Sequence, residues 1–205
     1  MRKIFLDCGT NLCQGLEEIS KNIGVNDEWI IYSFDVNPEI FNSIVIEKYP
    51  NVKFVNKGVW INDEFKELNV EVLTGNLYDH LGDNPIFNVS EEAKKKFNMG
   101  LGGGTNIIEN INYRYNLNIE KYHTKVECFD FSKFILDNFS KDDFIVIKMD
   151  IEGSEFEVLD KMFKDGSIDY VNTMFVEWHD DMRSISSTQL QENIIQKGIQ
   201  LSSWR

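Results

Sequence analysis

The sequence predicts an α/β domain on a mostly parallel, doubly wound sheet with an antiparallel C-terminal strand. Three observations predict it. Short apolar runs alternate with helical patterns, which is the signature of β-α-β units. The apolar runs end in polar clusters, as strands do at the ligand edge of an open α/β sheet. The 205 residues suit one such domain with a full-sized core and leave little room for two. The domain is read as residues 1–205, with an irregular insertion at about 75–125.

The first strand, Ile4-Phe5-Leu6, ends in Asp7-Cys8-Gly9-Thr10-Asn11, and Leu12, Leu16, Ile19 and Ile23 then share a helical face that stops at Gly24. A buried strand over 29–34 runs into Asp35-Val36-Asn37-Pro38. Pro38 suits the start of a helix carrying Phe41, Ile44, Val45 and Tyr49. Val52–Val55 is a third strand, leading to Gly58-Val59-Trp60. Asn62-Asp63 predicts a hairpin between Val59-Trp60-Ile61 and the Phe65–Leu68 run.

The insertion is Asn-rich and holds Gly100-Leu101-Gly102-Gly103-Gly104-Thr105. Composition supports either a cap over the ligand edge, with the glycines as a hinge or lid tip, or a floppy surface loop. Alternation resumes with Val126–Phe129 and a helix through Phe134, Ile135 and Phe139. Phe144–Met149, the strongest buried strand, ends in Asp150-Ile151-Glu152-Gly153-Ser154-Glu155 before a helix with Phe156, Leu159, Met162 and Phe163. Val171–Val176 ends in Glu177-Trp178-His179-Asp180. A helix with Leu190, Ile194 and Ile195 stops at Gly198, and 199–204 is the last strand, expected to be antiparallel.

Hydrophobic residues at 42% and aromatics at 13% place the chain among globular proteins. With 21 Lys+Arg against 34 Asp+Glu, the net charge of −13 repels polyanions and disfavours nucleic acid as a partner. The one dense basic run, Lys94-Lys95-Lys96, follows Glu91-Glu92 and reads as a solvated helix face rather than a phosphate patch. Cys8, Cys13 and Cys128 are an odd number without a CxxC pair, so free thiols in a reducing compartment are expected. A zinc set of Cys8, Cys13, His123 and Cys128 lacks recognised ligand spacing. The Ile4–Leu6 run is too short for a signal peptide, and no stretch approaches the roughly 18 apolar residues of a membrane span. A soluble, cytoplasmic protein is expected.

Polar clusters stand at four predicted strand ends: Asp7–Asn11, Asp35–Asn37, Lys148–Glu155 and Glu177–Asp180. One such residue alone is ordinarily a helix cap or a turn; four together favour a shared site. Gly9 lets the backbone approach closely, and the next helix offers unpaired N–H groups. Asp35, 20 residues beyond Gly15, is placed to accept from two ribose hydroxyls. The first loop does not fit Gly-x-Gly-x-x-Gly, and an acidic Asp7 before the glycine would repel a pyrophosphate. It suits a cofactor with an ammonium and a sulfonium, namely S-adenosyl-L-methionine.

Asp7-Cys8-Gly9-Thr10-Asn11, Phe34-Asp35-Val36-Asn37-Pro38, Lys148-Met149-Asp150-Ile151-Glu152-Gly153-Ser154-Glu155 and Val176-Glu177-Trp178-His179 together resemble the FkbM family of S-adenosylmethionine-dependent methyltransferases. The Lys-x-Asp-x-Glu-Gly-x-Glu block is the specific part. The resemblance implies a Rossmann-like class I methyltransferase fold and O-methylation of a sugar, glycan or other small-molecule hydroxyl. Cys13 stands where the family usually has a third glycine, and Asp35 replaces the more usual Glu. The chain begins at the first strand, without the N-terminal segment of many relatives, so cover for the substrate is expected from the insertion, an oligomeric partner or a further part of a larger protein.

Asp7, Gly9, Asn11, Asp35, Asn37, Gly58 and Asp150 are the expected cofactor-binding residues, and Lys148, Asp150, Glu152 and His179 the expected catalytic ones. In-line methyl transfer depends mostly on alignment, helped by a base for the acceptor's proton. Asp150 is expected near the transferred methyl, with His179 or Glu152 handling the proton. His179 alone has an unperturbed pKa, about 6.5, suited to a base at neutral pH. Against these roles stand bland ones: Glu152 and Glu155 as caps of the next helix, Lys148 as an ion-pair partner of Asp150 or Glu177, and His179 packed beside Trp178. A divalent cation on Asp150, Glu152 and Glu177 is chemically possible, and no residue is assigned to a metal. The rival functions are a nucleic-acid 2′-O-methyltransferase and an inactive cofactor-binding module.

Overall fold

A computed structural model describes residues 1–11, 13–36, 49–68, 107 and 124–204. The chain forms β1 (Lys3–Cys8), α1 (Gln14–Ile23), β2 (Trp29–Phe34), β3 (Val52–Val55), β4 (Gly58–Trp60), β5 (Glu64–Leu68) and β6 (Thr124–Asp130). It continues with α2 (Phe131–Asn138), β7 (Phe144–Met149), α3 (Glu155–Asp165), a 3-10 turn (Ser167–Tyr170), β8 (Val171–Val176), α4 (Asp180–Arg183), α5 (Thr188–Gln196) and β9 (Gln200–Ser203). The expected helix from Pro38, most of the 75–125 insertion, and Asn37 lie outside the described residues.

The main sheet has six strands in the order β3-β2-β1-β7-β8-β9. β1 and β7 carry the apolar runs Ile4–Leu6 and Phe144–Ile147 because a central parallel strand is covered on both faces. Ile4, Leu6 and Cys8 of β1 join Ile145, Ile147 and Met149 of β7 under α2 and α3. Phe5 and Val146 face the other way, against Leu16 and Ile19 of α1. Ile107, from the insertion, is buried in the α2–α3 core.

β9 is parallel to β8, not antiparallel, in register from Thr173↔Gln200 to Val176↔Ser203. α5 carries the chain back across the sheet, so it re-enters from the end where β8 began, the arrangement that parallel strands require. The expected hairpin at Asn62-Asp63 is also corrected. β4 and β5 do not pair; β6 lies between them in a second, three-stranded sheet, parallel to β4 and antiparallel to β5. Asp63 instead makes a long-range bond, its Oδ1 accepting from the Asp130 N–H at the end of β6 at 3.1 Å.

At the start of β7, the buried Asp143 ties down the N-terminus. Its carboxylate accepts from Arg2 Nε at 3.0 Å, the Arg2 N–H at 3.2 Å and the Ser140 N–H at 2.8 Å. The Arg2 guanidinium holds this carboxyl below the usual carboxylate range. Hydrogen bonds to a charged group contribute about 2 kcal/mol, so Asp143→Ala is expected to lower the melting temperature by roughly 4–8 °C. Because the folded-state pKa is depressed, the contribution is present above the ordinary carboxylate value and fades as pH falls. Melting the variant and wild type at neutral and acidic pH checks both: a difference that does not shrink in acid would sink this account.

Candidate active site

The chain moves outward one way from β1 through β2 to β3 and the other way from β7 through β8 to β9, so order reverses between β1 and β7. Ligands of open α/β sheets sit beyond the carboxyl ends of the strands at that point. Those ends carry Asp7–Asn11, Asp35 and Lys148–Glu155, with Glu177–His179 at the end of β8.

Asp7 and Lys148 lie in β1 and β7, and their register pairs them, with Ser33 of β2 alongside. All three point to the α1 face and are buried. Ser33 Oγ donates to Asp7 Oδ2 at 3.1 Å, and Asp7 Oδ1 lies 3.7 Å from Lys148 Nζ. Gly15, in the first turn of α1, makes the room, because a Cβ there would stand 3.0 Å from Asp7 Oδ1 and 3.2 Å from the Lys148 stem. Lys148 Nζ also donates to Gly9 O at 2.5 Å and pairs with Asp150 Oδ2 at 3.2 Å. Burial disfavours its charge, but Asp150 and Asp7 outweigh that and raise its pKa. The cation that Asp7 meets here is therefore Lys148, and Lys148 is sealed behind Asp150. Both are placed to hold the site's shape.

Gly9 has φ +79 and lies against the β7–α3 loop so closely that a Cβ would fall 1.7 Å from Asp150 O. Its N–H and that of Thr10 both donate to Phe34 O at 3.0 Å. Asn11, at φ 43, donates its N–H to Asp35 Oδ2 at 2.8 Å, which joins the first loop to the end of β2. Cys13, at φ 63, is buried at the start of α1, and burial pushes its thiol far up. It occupies the third-glycine position in a glycine-like conformation. Gly58 is explained by packing: a Cβ would meet Cys128 Sγ at 2.7 Å and Val36 at 3.0 Å.

Beyond β7 the turn bends through Glu152 at φ 52 and Gly153 at φ 93. Non-glycine residues held in this left-handed region cost on the order of 1–3 kcal/mol and concentrate at functional sites. The bend brings Glu152 Oε2 to 3.4 Å from His179 Nε2. His179 Nδ1 is 2.9 Å from Oε1 of Glu155, which is wholly buried. Burial opposes a charge on His179, but the bonds to Glu152 and Glu155 prevail and raise its pKa to about 10. The sequence offered His179 at its unperturbed value; in the fold two carboxylates flank its ring and favour the charged form. Burial pushes the Glu152 carboxyl up to about 7, with His179 pulling it back and Asp150 and Glu177 adding to the rise.

Asp150, Glu152 and His179 offer ligand atoms within 4.8 Å of one another, so His179 rather than Glu177 completes the one carboxylate–imidazole group among the described residues that could hold a cation. The three cysteines are free and buried. Sequence reasoning missed Glu155, Ser33 and Arg183. Arg183 Nη1 donates to Gly153 O at 2.7 Å and clamps the bend from α4. Glu155 stood in a motif but resembled a helix cap; its carboxylate instead accepts from the N–H of Gly153, which precedes the N-cap Ser154, at 3.0 Å. Its bond to His179 depends on tertiary contact and leaves no local signal.

No helix among the described residues is long and apolar enough to cross a membrane. No curated protein and no solved structure matches the chain. The family model for the methyltransferase FkbM domain matches residues 7–194, a span that contains every strand-end cluster described above. A six-stranded, mostly parallel sheet with its polar residues gathered at the switch point is the α/β architecture that such a domain requires. The chain belongs to the FkbM methyltransferase family.

Proposed function

We propose that the chain is an S-adenosylmethionine-dependent O-methyltransferase acting on a hydroxyl of a sugar, glycan or other small molecule. The observation that carries this reading is the convergence at one sheet edge of the Gly9–Asn11 loop, Asp35 and the Asp150–Glu152–His179 group. The donor set fits the cofactor. The strand ends offer carboxylates at Asp35 and Asp150, which suit hydroxyls and cations. The cations nearby are buried: Lys148, which pairs with Asp150, and His179, which pairs with Glu152 and Glu155. A pyrophosphate would meet those carboxylates, whereas an ammonium or a sulfonium is favoured beside them.

Gly9, Asn11 and Asp35 would hold the cofactor, with Asn37 from the same β2 end and Asp150 facing them across the switch point. When bound, S-adenosylmethionine supplies an electrophilic methyl group whose carbon–sulfur electron pair stays on sulfur. The chain's residues orient the acceptor oxygen and remove its proton. Glu152, with a carboxyl near neutrality and its side chain 20% exposed, suits that task better than His179, which already holds its proton.

Isothermal titration with S-adenosylmethionine, and with NAD as a control, tests the reading. Binding of the first and not the second is expected; binding of neither would overturn it. Asp35→Ala is expected to weaken binding at least about tenfold, since two hydrogen bonds to a charged acceptor would be lost. Asp35→Glu should retain binding, and equal losses in both variants would remove Asp35 from the cofactor site.

A further inference from the structure

Glu155 begins α3 and is 0% exposed. Its two oxygens hold three N–H groups: Oε2 accepts from the Gly153 N–H at 3.0 Å, and Oε1 accepts from the His179 N–H at 3.0 Å and from Nδ1 at 2.9 Å. A carboxylate oxygen that accepts from the ring needs the proton on Nδ1. Nε2 is then turned toward Glu152 Oε2, 3.4 Å away. Side-chain exposure rises along the row, from 0% at Glu155 to 3% at His179 and 20% at Glu152. None of these three donors belongs to the first turn of α3, so the carboxylate is not a helix cap. The two bonds from His179 reach across to the β8–α4 connection and fix an imidazole against the one member of the row that meets solvent.

We propose that Glu155 is the positioning residue of the site, acting through the His179 ring to hold Glu152 as the group that takes the acceptor's proton. The proposal rests on the methyl-transfer reading for the identity of the proton donor. In the step, the acceptor's O–H bond breaks and the proton binds a Glu152 carboxylate oxygen; the pair left on oxygen would form the new bond to the methyl carbon as the carbon–sulfur bond breaks and its pair stays on sulfur. The charges facing the row support this division of labour. Glu152 faces His179, Asp150 and Glu177, and His179 faces Glu152 and Glu155. From outside the row, Lys148 pairs with Asp150, while Arg183 binds Gly153 O and Glu157. His179 lies between two carboxylates, 2.9 Å from Glu155 and 3.4 Å from Glu152, and this favours the charged ring, while Glu152 is the member of the row open to solvent.

The test is an NMR titration of the intact chain labelled at histidine ring nitrogens and glutamate carboxyls. His179→Gln assigns the ring among the 3 histidines. The wild-type His179 is expected to stay protonated well past the ordinary imidazole range. One glutamate carboxyl should titrate near neutrality and vanish in Glu152→Gln. Glu155→Gln is expected to lower the His179 titration by at least about one pH unit while the variant still melts cooperatively near the wild-type temperature, which separates the shift from the return to an ordinary imidazole that loosened packing would give. Should that variant fail to fold, Glu152→Gln supplies the second reading, with the His179 titration again lowered. A wild-type His179 that titrates in the ordinary range, or one unmoved by either substitution, overturns the proposal. So does broadening of both His179 and Glu152 signals by equimolar Mn2+, which would make the group a cation site. Cofactor titration separates the two ideas. S-adenosylmethionine binding with an ordinary His179 sinks the positioning role alone, whereas an intact titration without binding sinks the methyl-transfer reading.

Discussion

Lys148→Met is expected to cost the fold about 3–5 kcal/mol, the loss that follows when one member of a buried ion pair is removed and its partner stays charged. Lys148 and Asp7 are both sealed from solvent, with side chains 2% and 0% exposed. Asp150 is 17% exposed and can be hydrated, so the stranded charge is Asp7. The Gly9 carbonyl also loses its 2.5 Å donor. A double variant, Asp7→Asn with Lys148→Met, removes the charge and leaves an amide that Ser33 Oγ can still meet. It should recover more than half of the loss. Denaturant unfolding of the two variants and the wild type is decisive: a single variant as stable as wild type, or a double variant no better than the single, would mean that the pair does not hold the strands together.

This triad also shows how far the sequence is legible. The order of strands and helices is readable because β1 and β7 carry the apolar runs Ile4–Leu6 and Phe144–Ile147, and Gly24, Gly166 and Gly198 close helices at φ of 69°, 80° and 80°. Asp7 is harder. The apolar run stops at Leu6, so Asp7 resembles a loop residue, yet β1 extends to Cys8 and period-two alternation then sends Asp7 to the side of Phe5, under α1. Lys148 follows Val146 to the same face. His179 and Glu155 are 24 residues apart, and no spacing rule joins them. Only the parallel neighbours β7 and β8 bring their following loops together, and that contact sets the imidazole between two carboxylates, which favour its charged form. The β4-β6-β5 sheet fails to show in the sequence for the same reason, since β6 pairs with strands more than 55 residues before it.

Gly9→Ala is expected to reduce S-adenosylmethionine binding by about 100-fold or more, because the contact it breaks sets the distance between the cofactor loop and Asp150. Two costs add at this position. An L-residue in the left-handed region costs roughly 1–2 kcal/mol. Separately, the new methyl would fall 1.7 Å from Asp150 O, and neither atom can swing aside as a side chain would. The β1–α1 loop must therefore move away from the β7–α3 loop, which also strains the Lys148 bond to Gly9 O and the Asn11 bond to Asp35. Gly24→Ala provides the control. Gly24 has φ +69, yet a Cβ there meets nothing within 4 Å, so that variant carries the backbone cost alone. It should lose about 1 kcal/mol of stability and no affinity. If titration gives both variants the same affinity, the close approach of the two loops has no part in binding, and Gly9 serves only the turn out of β1. If only Gly9→Ala loses the cofactor, the contact between the loops, rather than the handedness of the backbone, is what this glycine supplies to the site.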